Sequence, residues 1–180
     1  MRAQLHDVTD PFEVFGVPRR YDVDLAEIGR VHRELSRALH PDRFAGAGAS
    51  ERRRSLERAT EVNHAFRVLE DPVRRAEAMF ELAGVPVGEA SEPKASPAFL
   101  MEVLEEREAV GEARAARDVR TLERIEHETR ARARAVQAAL GAGFSRGGDL
   151  ASLLPLLGQL RFYLRMLEEL EAVKAEWEDA

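Results

Sequence analysis

A capping residue followed at once by proline occurs at Asp10-Pro11, Asp71-Pro72 and Ser96-Pro97, each time ahead of a run with helical spacing of its apolar residues. This pair constrains the fold. The Asp or Ser side chain accepts from the free amides of a first helical turn, while proline, with φ already near the helical value and no amide to offer, suits the first helical position. Asp24 adds a further start, with Glu27 three residues on in the spacing of a capping box, as Glu13 stands to Asp10. The chain is rich in Ala, Leu, Glu and Arg and only 6% aromatic, which favours helix over sheet. An all-α fold is expected.

The punctuation places the helices. A short one runs from 11 to Gly16, and after the loop VPRRYDV a second opens at Asp24. It ends before His40, because Pro41 disfavours helical backbone at the preceding residue and cannot donate to the ladder. Ser50 is expected to cap a long third helix through Leu69, with Leu56, Ala59, Val62, Asn63, Phe66 and Leu69 at helical spacing. Asp71-Pro72 opens a fourth, which Gly84 ends. The stretch GVPVGEASEPKASP has no sustained apolar period and reads as a linker. Beyond it, helices are expected over 97–116, 118–140 and from about 150 to the end, with GAGFSRGGD as a turn. Pro155 then sits in the first turn behind a Ser152 cap, or kinks a helix begun at Asp149. Helices joined by short turns make an antiparallel bundle. The expected division is a first domain over 1–84, a linker over 85–97 and a second domain, a three-helix bundle, over 98–180.

Several function classes are disfavoured by the same residues. A formal charge of −6 opposes general binding of polyanions, which needs a net basic face. With no cysteine, disulfides, thiol catalysis and thiolate metal sites are excluded together. The segment MRAQLHDVTDPF lacks the apolar core of an export signal, and no apolar run is long enough to span a bilayer, so a cytoplasmic location is expected, with no membrane partner.

On a wheel of the second helix, Leu25, Ile28, Leu35 and Leu39 share one side and Arg30, Arg33 and Arg37 lie nearly opposite. A solvated charged face and a docking stripe are both compatible with that pattern. The helix is then cut by His40-Pro41-Asp42. An imidazole beside a carboxylate suits acid–base work or metal ligation, but no converging ligands are spaced for it, and HExxH, a nucleophile elbow and a phosphate-cradling glycine loop are all lacking. A helix stop with Asp42 capping the turn accounts for the tripeptide better than either, because both residue types commonly do that. Neither an enzyme nor a resident cofactor or metal is expected.

A basic helix, His-Pro-Asp in a loop and an apolar-faced helix within the first seventy or so residues resemble a J-domain, the module by which DnaJ-type co-chaperones engage DnaK-type ATPase chaperones. FGVPRRYDVDL, ATEVNHAF, DPVRRAEAMFEL, FLMEVLEERE and LRF near residue 161 extend the resemblance to the HscB family of iron–sulfur cluster assembly over nearly the whole chain. It implies a J-domain built as a helical hairpin with short flanking helices. It further implies that His40, Pro41 and Asp42 stimulate the hydrolysis of ATP by a DnaK/HscA-type chaperone, with Arg30, Arg33, Arg37 and Arg43 contacting an acidic face of that partner. Arg43 stands where many J-domains have lysine. The cysteine pairs of some eukaryotic relatives are missing, and GAGFSRGGD and Pro155 fit the family pattern less well.

In FLMEVLEEREAVGEA, Phe99, Val103 and Val110 share one side of a helix, whereas Leu100, Met101 and Leu104 lie across from it beside Glu105, Glu108 and Glu112. Periodicity alone leaves open which face is core. The resemblance implies that Leu100, Met101, Leu104, Glu105, Glu108 and Glu112, joined by Phe162 from the last helix, hold the iron–sulfur scaffold protein IscU; Phe162 as ordinary core is the other reading. The rivals are a J-protein serving a different client and a nucleic-acid binder using ERIEHETRARARA. The second is disfavoured, because Arg130, Arg132 and Arg134 scatter around a helix and no aromatics interleave.

Overall fold

The computed structural model describes residues 10–88 and 93–178. The amino-terminal segment read for an export signal and the middle of the linker, 89–92, lie outside the described residues. The fold is all-α, with helices α1 (Pro11–Phe15), α2 (Leu25–Ala38), α3 (Ala49–Glu70), α4 (Pro72–Leu82), α5 (Pro97–Ala116), α6 (Val119–Arg146) and α7 (Leu154–Glu178). The chain divides into two compact units, Met1–Val85 and Pro86–Ala180.

In the first unit the caps work as their chemistry dictates. Asp10 accepts from the Phe12 amide at 2.8 Å, Asp24 from Ala26 and Glu27, and Asp71 from Val73 and Arg74. The capping boxes are half formed. Glu13 is taken by Arg19 and Glu27 by Arg30, because a guanidinium outcompetes a backbone amide for an exposed carboxylate. Gly84 ends α4 at φ 74°, with the Val85 amide reaching the Phe80 carbonyl and the Gly84 amide reaching Glu81, a Schellman closure. Helices α2 and α3 form an antiparallel hairpin, and α1 packs across its base. Phe12, Val14, Phe15, Ile28, Val62, Ala65 and Leu69 make the core there.

Two expectations for α3 need correction. Ser50 is not its cap: the helix starts two residues earlier, at Ala49 behind Gly48, with no side-chain cap. Leu56, counted with the core stripe, is 64% exposed: the adjacent Ser55 is the residue that turns inward there, donating to the Leu39 carbonyl.

The second unit is a three-helix bundle. Ion pairs set its directions: Arg132 meets Glu102 and Glu106, Lys174 meets Glu126, and Arg114 at the end of α5 meets Glu176 at the end of α7. Helix α6 therefore runs antiparallel to both neighbours. It also runs longer than expected, to Arg146, since Gly141 and Gly143 are buried inside it rather than in a turn. A Cβ at Gly143 would lie 2.6 Å from a Leu153 methyl, so this glycine lets the following 3-10 turn (Leu150–Leu153) close onto α6. The chain reverses at Gly147 and Gly148, both at positive φ. Pro155 falls in the first turn of α7, but Asp149 caps the 3-10 turn ahead of it and Ser152 donates to the Asp149 carbonyl instead of capping.

Candidate functional site

The loop between α2 and α3 begins at Leu39, where the α2 ladder stops. His40 has extended backbone at ψ 134°, as a residue before proline should, and Pro41 starts a 3-10 turn over Pro41–Phe44. The Asp42 amide donates to His40 Nδ1 at 3.3 Å. The Asp42 carboxylate lies 3.5 Å from the same nitrogen, yet its side chain is 89% exposed. Tripeptide and turn thus form a stiff loop with a solvent-facing carboxylate at its tip, and Ser55 of α3 ties the loop's root by donating to the Leu39 carbonyl at 3.2 Å.

The arginines expected on the outer face of α2 are all exposed, but they are not equivalent. Arg30 is held by Glu27 at 2.5 Å and by Glu34 at 2.6 Å. Its hydrogen bond with Arg30 keeps the Glu27 carboxyl below the usual range. Among the described residues, Arg33, Arg37 and Arg43 have no ion-pair partner. Below this face the hairpin is clipped by His32, whose ring stacks on Phe66 at 4.0 Å and bonds Asn63 at 2.9 Å. That clip escaped the sequence reading. The only local sign of it is Asn63 and Phe66 at a three-residue spacing on the apolar side of α3.

In the second unit the structure chooses between the two faces of α5. Val110 and Ala113 are buried, with Phe99 and Val103 half-buried, whereas Leu100, Met101 and Leu104 are 50%, 56% and 61% exposed. Glu105, Glu108 and Glu112 are exposed on the same side. The inner face is anchored by polar contacts no periodicity reveals: the Tyr163 hydroxyl donates to Glu102 at 2.8 Å, and Arg132 pairs with Glu106. Burial pushes the Tyr163 phenol up to about 12. Phe162 is 9% exposed and stands edge-on to Phe99 at 5.6 Å, at the root of α5.

In the arginine-rich stretch of α6, Arg130 and Arg132 are engaged by glutamates of the bundle while Arg134 is exposed. Arg130 pairs with Glu126 and approaches Glu171, and Arg132 takes Glu102 and Glu106. Among the described residues no helix is long and apolar enough to cross a membrane.

Comparison with known proteins joins the two halves. The DnaJ domain model matches residues 10–78, and the model of the HSCB C-terminal oligomerisation domain matches residues 95–171. A co-chaperone protein HscB homolog of Azoarcus sp. (strain BH72) is 40% identical over 162 residues, covering 90% of this chain and 92% of that one. The chain belongs to the HscB family of co-chaperones. A second HscB homolog, from Cupriavidus taiwanensis, is 41% identical over 152 residues, 84% of this chain and 85% of its own length. The solved structure of chaperone HscB from Vibrio cholerae superposes with a TM-score of 0.83 at 28% identity, over 93% of this chain and 99% of the other. Human co-chaperone protein HscB shares the fold, with a TM-score of 0.85 at 24% identity over 93% and 83%. Within this HscB-family chain, the His40-Pro41-Asp42 loop lies in the part matched by the DnaJ domain, and the exposed α5 patch in the part matched by the C-terminal domain.

Proposed function

We propose that this chain is a bivalent adaptor of iron–sulfur cluster assembly: its first domain stimulates ATP hydrolysis by a DnaK/HscA-type chaperone, and its second holds an IscU-type scaffold for delivery to that chaperone. The observation that carries the reading is the Asp42 carboxylate, 89% exposed on a proline-stiffened loop at the end of a helix bearing Arg33 and Arg37. Guanidinium groups on a rigid helix steer an acidic partner and offer bidentate hydrogen bonds, and a preorganised carboxylate costs little entropy when it docks.

No chemical step falls to this chain. A ligand shifts its partner's conformational equilibrium only by binding one state better than another, so the His40-Pro41-Asp42 loop acts by preferring the hydrolysis-competent state of the chaperone. Arg43 adds charge within the same turn, and Arg30, already engaged by two glutamates, contributes less than Arg33 and Arg37. On the other domain, Leu100, Met101 and Leu104 supply an apolar centre for the scaffold, while Glu105, Glu108 and Glu112 supply an acidic rim that orients it; Phe162 buttresses this face from within. The division into residues 1–84, a linker over 85–97 and residues 98–180 lets one chain hold both partners. Covalent linkage then raises the scaffold's effective concentration at the chaperone. The work is assigned to the cytoplasm.

The test is single-turnover phosphate release from a DnaK/HscA-type chaperone with this chain added, with and without an IscU-type scaffold. Stimulation by the chain, increased further by scaffold, is expected. Stimulation by the chain with no response to the scaffold would assign it a different client, and no stimulation at all would remove the co-chaperone mechanism.

A further inference from the structure

Helix α5 turns three large apolar side chains outward and two carboxylates inward. Leu100, Met101 and Leu104 are exposed, while the inward face combines Phe99, Val103, Val110 and Ala113 with Glu102 and Glu106. Phe99 stands edge-on to Phe162 and Tyr163 at the root, and beyond it the inward apolar residues are only valine and alanine. Apolar burial therefore separates the two faces weakly. Rolling the helix about its axis by roughly a third of a turn would take Leu100 and Leu104 inward and carry both glutamates to solvent.

What holds the glutamates in is polar. The Tyr163 hydroxyl donates to Glu102 Oε1 at 2.8 Å, and Arg132 lies 3.5 Å from the same oxygen and pairs with Glu106 Oε1. Tyr163 is buried, and the second oxygen of Glu106, Oε2, is buried without a hydrogen-bond partner among the described residues. A buried ionic cluster adds little net stability over well-packed apolar side chains, because desolvation of its charges offsets their attraction. Removing one side of it, however, strands a buried charge. Such a cluster acts on which arrangement forms, as a single buried polar residue sets the register of a coiled coil.

We propose that Tyr163 and Arg132 are positioning residues for scaffold docking: they hold Glu102 and Glu106 inward and so keep α5 from rolling its docking face into its own bundle. This role rests on the reading of that face as the scaffold surface, whereas the roll is a property of this chain alone. Arg132→Leu with Tyr163→Phe leaves the two glutamates against an apolar wall and favours the rolled arrangement. Adding Glu102→Leu and Glu106→Leu makes the inward face apolar and restores the original arrangement with no polar contact.

Two readouts on the full chain follow α5. One is the rate at which peroxide converts Met101 to its sulfoxide, mapped by mass spectrometry against Met166, which is buried in α7. The other is calorimetry with an IscU-type scaffold. A rolled population of about nine in ten lowers the Met101 rate and scaffold affinity about tenfold each, since both need the outward face. The double variant is expected to show both losses with Met166 still protected, and the quadruple variant to return both to wild type. Tyr163→Phe alone keeps the Arg132 pairs and shifts both about two- to threefold in the same direction, which keeps the test open if the double variant does not fold. Met101 oxidised at the wild-type rate or faster in a folded variant overturns the roll, because a merely structural loss loosens the bundle and exposes methionine rather than hiding it. Protection of Met101 with unchanged scaffold affinity overturns the docking role, because the face is then not the scaffold surface.

Discussion

Replacing Leu100, Met101 and Leu104 together by alanine tests the second domain as a docking surface. The three side chains are 50%, 56% and 61% exposed, so roughly half of each remains to be covered by a partner. Fully burying a side chain of this size is worth about 1.5–3 kcal/mol, so covering the exposed half yields about 1 kcal/mol each, less what the alanine methyl retains. Summed over three positions, the loss is about 2–3 kcal/mol, or roughly 30- to 150-fold in Kd. Calorimetry of the full chain with an IscU-type scaffold measures it. Folding is spared, because these side chains contribute little to the bundle interior, and the thermal midpoint should stay within a few degrees. Phe162→Ala behaves differently: it empties a buried site against Phe99 and costs about 3–5 kcal/mol of stability. Scaffold affinity unchanged in the triple variant would refute the assignment of this face.

Other expectations follow from single sites. Gly143→Ala drives a methyl into Leu153 and should destabilise the second unit by about 1–3 kcal/mol, with Leu153→Ala in the same chain restoring part of it in a denaturant titration. Both tyrosines ionise late: burial raises Tyr21 and Tyr163 to about 12, so ultraviolet titration should show no phenolate step near the ordinary value of about 10. The native state then holds protons that the unfolded chain has released. This contribution is therefore fully present below about pH 10 and lost as pH rises toward about 12, and an alkaline unfolding series should show stability falling across that window. Arg37→Ala should weaken coupling to the chaperone more than Arg30→Ala, since Glu27 and Glu34 already hold the Arg30 guanidinium. Equal effects in the phosphate-release titration would show that the glutamates let it go on binding.

What the sequence made legible was local. Asp10, Asp24, Asp71 and Ser96 cap the helices they precede, because a cap and its amides lie within three residues of each other. The break at His40 was equally legible, since proline acts on its immediate neighbours. Ser50 misled because any small polar residue near a helix start looks like a cap, whereas the cap position falls two residues earlier, at Gly48, whose extended backbone opens the helix without a side-chain bond. The turn expected after Leu140 failed for a longer-range reason: glycine weakens a helix in isolation, but at Gly143 the absence of a side chain is what Leu153 packs against. The choice between the two faces of α5 lay beyond periodicity altogether. It is made by Tyr163 and Arg132, 61 and 26–30 residues from the glutamates they hold. Phe162 shares this limit, for an aromatic at helical spacing reads the same whether it faces a partner or its own core.

The central claim is that an exposed carboxylate at a proline-stiffened bend drives another molecule's ATP hydrolysis. Asp42→Asn tests it most directly, because it removes one charge from a side chain that is 89% exposed and so leaves the fold intact. In single-turnover phosphate release with a DnaK/HscA-type chaperone, the variant should bring the stimulated rate down to that of the chaperone alone while scaffold affinity is unchanged. Stimulation near the wild-type level by a folded Asp42→Asn chain would contradict the account.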